Sequence, residues 1–125
     1  MNARLHPASS HPGFRTEVDF ELPKGYLDES GTLHRRGVMR LATAADEILP
    51  LRDPRVQQNE AYLAVIVLAR VIVRLGTLPD IHTGVIEGLY ASDLAYLQRL
   101  YESLNAEDDI DAQTPLPRMP VLGEA

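Results

Sequence analysis

Residues 61–75, AYLAVIVLARVIVRL, constrain this chain more than any other segment. Tyr62, Leu63, Val65, Ile66, Val67, Leu68, Val71, Ile72, Val73 and Leu75 are apolar. At about 100° per residue they cover nearly the whole circumference of a helix. Only Arg70 and Arg74, four residues apart, form a polar stripe, and Leu63 and Val67 share it. A helix that is apolar all round is normally buried all round. At 125 residues the chain holds one domain at most, and a small domain has difficulty wrapping one helix completely. Two readings follow. The segment is a central core helix, or it is partly exposed and covered by a partner or a second copy. In the second reading Leu63, Val67, Arg70 and Arg74 are the partner-binding residues, with the arginines meeting acidic groups. A buried strand competes, but the run is too long for one.

Before this segment the pattern has period two. Val18, Phe20 and Leu22 alternate with Asp19 and Glu21, a half-buried strand that Pro23 interrupts. Asp28-Glu29-Ser30-Gly31 reads as a hairpin tip, with Gly31 free to adopt positive φ. A second strand is expected over residues 37–41. Thr43-Ala44-Ala45-Asp46 fits a capping box, and the resulting short helix should stop at Pro50. Asp53-Pro54 marks another helix start, with a break near Asn59 and a stop at Gly76. Thr83 and Ser92 are candidate caps for two further helices. In the last, Leu94, Leu97, Tyr101 and Leu104 form an apolar stripe, with Asp93, Arg99 and Glu102 away from it. The fold class expected is α+β: a β-hairpin or small meander, then three to four helices, in a single domain over residues 17–105. Residues 1–16 read as a flexible leader. Residues 106–125, acidic and then rich in proline, read as a disordered tail, within which residues 115–122 have the character of a docking peptide.

Little here suggests chemistry. The net charge of -6 disfavours nucleic acid as a partner. The absence of cysteine removes disulfides, thiolate metal sites and a cysteine nucleophile, and is compatible with the cytoplasm. No apolar run approaches the roughly 20 residues of a membrane span. His6, His11, His34 and His82 lack metal-ligand spacing. Asp46 and Glu47 are adjacent, so they do not face each other, and they serve the helix N-terminus. No phosphate-binding loop, dinucleotide fingerprint or nucleophile elbow occurs. The chain therefore reads as non-enzymatic, with no catalytic residue, cofactor or metal.

A family resemblance adds to this reading. The segments FELPKGYLDESGTLHRRGV, MRLATAADEI and RVIVRLGTLPDIHTGVIEGLYASDLAYLQRLYESLN look like a small protein of phage-tail-like contractile injection clusters. They resemble the tail assembly chaperones of Mu-like contractile phages. The pattern is carried by Ile86, Leu89, Asp93, Leu94, Leu97 and Gln98 and spans residues 20–105. The family has no catalytic motif. The resemblance implies a cytoplasmic assembly protein that coats apolar helical stretches of a tape-measure or tube protein; the apolar surface of residues 61–75 separately leads to the expectation of a homo-oligomer. A longer hairpin tip and the acidic, proline-rich tail depart from the shorter phage proteins. They leave open a minor structural subunit of the tube, cap or baseplate, or an adaptor that loads cargo.

Overall fold

The computed structural model describes residues 16–106. The expected leader and tail, with the docking-peptide reading of residues 115–122, lie outside these apart from Thr16 and Ala106. The fold is α+β. Strands β1 (Glu17–Leu27), β2 (Leu33–Arg40) and β3 (Ile72–Leu75) form an antiparallel sheet in the order β1-β2-β3. Five helices complete it: α1 (Ala44–Ile48), α2 (Pro54–Gln58), α3 (Tyr62–Val71), α4 (Thr83–Glu87) and α5 (Ala91–Leu104). A 3-10 turn, Leu49–Arg52, joins α1 to the segment before α2.

The long apolar helix does not form. α3 ends at Val71, and Ile72 is already extended, with φ -82° and ψ 112°. Residues 72–75 become β3 and pair with β2, Gly37 opposite Leu75 and Val38 opposite Arg74. The physical reason lies in the difficulty noted above. A fifteen-residue helix, apolar on every side, could not be covered by so small a domain. Dividing the segment lets Leu68 and Val71 enter the core from the helix, while Ile72 and Leu75 enter it from the strand. The β-branched run Val71-Ile72-Val73 fits a pleated surface better than a helix interior. With the helix ended, Arg70 and Arg74 no longer share a face.

The hairpin tip follows its sequence signals, but β1 continues through Pro23 and β2 begins at Leu33, four residues before the expected start at Gly37, and ends at Arg40. Asp28 N–H donates to Thr32 C=O and Gly31 N–H to Asp28 C=O, closing the tip, where Gly31 has φ +90°. The β1–β2 register shifts between Glu21 and Tyr26. Two distant side chains occupy that irregularity. Arg35 Nε donates to Leu22 C=O at 3.0 Å. Asp93, on α5 and fully buried, accepts from Lys24 N–H at 3.0 Å and Gly25 N–H at 2.8 Å. The sequence placed Asp93 off the apolar stripe; in the fold it is an internal acceptor that pins α5 to β1.

Helix starts agree closely with their signals. Thr43 and Asp46 make the reciprocal capping box, and Asp53 caps α2 ahead of Pro54. The expected caps Thr83 and Ser92 are displaced: His82 caps α4 through Nδ1, which accepts from Gly84 N–H, and Tyr90 precedes α5. Phe20, Leu22, Met39, Leu68, Val85, Ile86 and Leu97 fill the core between sheet and helices. Gly37 sits where the Phe20 ring crosses β2. A Cβ there would lie 2.5 Å from Phe20 Cζ and 2.4 Å from the Arg74 carbonyl oxygen. Gly37→Ala is therefore expected to cost about 1–3 kcal/mol, because a backbone atom must yield, and a thermal melt would register it.

Candidate interaction surfaces

The four residues expected to meet a partner are not brought together as one face. Val67 is buried, at 7% exposure, and Leu63 is half-buried. Arg70 Nε donates to Asp46 Oδ1 at 2.9 Å. Arg74 lies exposed on β3 and makes no ion pair among the described residues.

Asp46 is the centre of the polar interior. It is 2% exposed. Arg40 holds it with two N–H groups, at 2.8 and 3.1 Å, and Arg70 with a third. Thr43 N–H and its hydroxyl complete the set at 2.8 and 3.1 Å. Hydrogen bonds from Arg40 first, then from Thr43 and Arg70, outweigh burial and hold its carboxyl well below the ordinary Asp value of 3.8. Arg40 also reaches the Arg70 carbonyl at 2.9 Å. One carboxylate thus ties the end of β2 to α1 and α3. A second polar tie involves His34, which is 4% exposed. Its Nδ1 accepts from Thr77 N–H at 3.2 Å, so Nε2 carries the proton and donates to Asp28 Oδ2 at 2.8 Å. Both arrangements satisfy internal groups and leave no open coordination position. No cluster of three potential metal ligands occurs among the described residues.

Apolar surface is where the molecule remains unfinished. Ile48, Leu49 and Leu51 are exposed at 57%, 44% and 50%. They follow one another through the end of α1 and the 3-10 turn, while Pro50 between them is buried. Positions three apart lie on one side of a three-residue repeat, which places Ile48, the residue before the turn, and Leu51 on the same side. The ridge is fixed at one end by the Asp46 network. It is also fixed by Tyr101 of α5, whose hydroxyl donates to Glu47. At the far end of the sheet, Leu27 and Leu33 pair across the hairpin, 54% and 51% exposed.

Sequence periodicity did not single out the ridge. Its signal was local: Ile-Leu-Pro-Leu in elements too short to turn every side chain inward. No helix among the described residues is long and apolar enough to cross a membrane. The chain matches no protein-family model, no curated protein and no solved structure.

Proposed function

We propose that this chain is a non-enzymatic assembly protein, a cytoplasmic tail assembly chaperone of a contractile phage-tail-like injection system. It masks apolar helical segments of a tape-measure or tube protein through side-chain packing. The observation that carries the reading is the ridge of Ile48, Leu49 and Leu51, three exposed apolar side chains within four consecutive residues of a folded domain. The pattern resemblance over residues 20–105 supplies the kind of partner. The partner-binding role assigned from sequence to Leu63, Val67, Arg70 and Arg74 passes to this ridge, because Val67 and Arg70 are engaged internally.

The test is co-expression with the tape-measure protein of the same gene cluster. The full chain is expected to raise the soluble fraction of that protein several-fold. The double change Ile48→Glu and Leu51→Glu should abolish the gain while circular dichroism stays that of wild type. No gain with the wild-type chain, or an equal gain with the folded variant, overturns the proposal. Purified particles decide the remaining rival. A chaperone is absent from them, whereas recovery at fixed stoichiometry would make the chain a minor structural subunit.

A further inference from the structure

The longest strand of the sheet stands at its edge. β1 has 11 residues and, among the described residues, pairs only with β2. Leu41 N–H donates to Thr16 C=O at 2.8 Å, and the register continues as Glu17 opposite Arg40, Val18 opposite Met39, and Phe20 opposite Gly37. Bonded and non-bonded pairs alternate in an antiparallel ladder. Thr16, Val18 and Phe20 therefore direct their backbone groups at β2. The N–H and C=O of Glu17, Asp19 and Glu21 point to the open edge, and no described residue bonds them. Beyond Glu21 the edge is closed, because Lys24 and Gly25 give their N–H groups to Asp93.

The same three residues put carboxylates on the exposed face of the sheet. On the β2 side this acidic column already has cations across from it. Glu21 is opposite Arg36, and Asp19 shares a row with Arg74 across Val38. On the open side no described residue balances it. An open groove of about 580 Å³ borders this stretch, lined by Asp19, Phe20, Glu21 and Tyr96 and by Arg36 and Arg74 of the neighbouring strands. A second copy is a poor occupant. Pairing two β1 edges antiparallel about Asp19 sets Asp19 against Asp19 and Glu17 against Glu21, and like charges directly opposite destabilise a sheet.

We propose that the edge of β1 over residues 17–21 receives an extended segment of a partner protein, with Lys or Arg at alternate positions, as a fourth strand. Backbone bonds to Glu17, Asp19 and Glu21 supply the attachment, and the alternating cations supply the selectivity. This surface is separate from the apolar ridge and does not depend on the chaperone reading.

The test is NMR titration of the isotope-labelled full chain with two synthetic peptides, acetyl-RVKVRVK-amide and its counterpart acetyl-EVEVEVE-amide. The basic peptide is expected to shift the amide signals of Glu17, Asp19 and Glu21 and to slow their hydrogen exchange. The acidic peptide should bind about tenfold more weakly or worse, since each cross-strand charge pair changes sign. The exposed double change Asp19→Lys and Glu21→Lys should reverse this preference. Equal binding of both peptides, shifts confined to other residues, or no binding overturns the proposal. So does protection of these amides in the free chain that vanishes on removing residues 1–15, since the edge would then be filled by the chain's own segment. Concentration-dependent shifts at the same amides, without peptide, would identify a second copy and overturn it equally.

Discussion

Arg70→Glu is expected to destabilise the domain by about 3 kcal/mol, and Arg74→Glu to leave its stability almost unchanged. The two residues look equivalent in sequence. In the structure Arg70 donates to Asp46, which is 2% exposed, at 2.9 Å. Reversal puts a second carboxylate against the first and leaves Arg40 alone to hold both. Removing one partner of a buried ion pair costs about 3–5 kcal/mol. The lower end applies here, because the Arg40 and Arg70 side chains are 34% and 37% exposed. Arg74 is exposed on β3, and its reversal should stay within about 0.5 kcal/mol. Denaturant unfolding of the two variants checks the contrast; a folded Arg70→Glu protein of wild-type stability would return Arg70 to the list of surface residues.

The pH dependence has a definite sign. The folded Asp46 carboxyl lies below 3.8, so its stabilising contribution is complete above that value and is lost as pH falls toward the folded one. The stability gap between wild type and Asp46→Asn should therefore shrink below about pH 4.

Asp93→Ala should be nearly as damaging for a different reason. No cation is involved. The carboxylate accepts two backbone N–H groups, from Lys24 and Gly25, and is fully buried. Each orphaned donor costs about 1–3 kcal/mol, and the Lys24 donor, being only part-buried, falls at the low end, so a loss of about 2–4 kcal/mol is expected. For a domain of this size that lowers the melting temperature by more than about 10 °C. Asp93→Asn keeps one acceptor oxygen and should recover part of the loss. Asp80→Ala, on an exposed loop, should move the melt by little. Equal melting temperatures for the Asp93 and Asp80 variants would show that the bonds to β1 contribute nothing.

The local parts of the fold were legible because each rests on neighbouring residues. Period two in Val18-Phe20-Leu22, the tip at residues 28–31, the box of Thr43 and Asp46, and the Asp53-Pro54 start all encode their geometry within a few positions. Residues 61–75 misled because an almost wholly apolar run carries no phase, and period decides between helix and strand only when polar residues mark it. Asp46 was read as a helix cap, which it is. Its two arginines come from β2 and α3, and no spacing rule connects them. Asp93 is the sharper case. Its partners are 69 and 68 residues away and are backbone groups, which leave no side-chain trace in the sequence. The Ile48-Leu49-Leu51 ridge has no periodic signature, whereas the longest apolar segment, which stands out in the sequence, sends Ile66, Val67, Leu68, Val71, Ile72 and Leu75 into the interior.

The direct passage from α3 into β3 also sets where this domain can change length. Helix and strand meet at Val71 and Ile72 with no intervening turn. One residue inserted there would rotate α3 by about 100° relative to the sheet or displace β3 along β2, where the register irregularity at Val73 sets Ile72 and Leu75, three positions apart, both into the core. The phases of the two elements are coupled at this single junction, so a residue gained or lost between them disturbs helix and strand together. The hairpin tip at residues 28–31 imposes no such coupling. Its Glu29, Ser30 and Gly31 are exposed, and its growth disturbs only the local turn. Variation in length is therefore directed to one end of the sheet, while at the opposite end, where strand and helix are fused, it disturbs both elements.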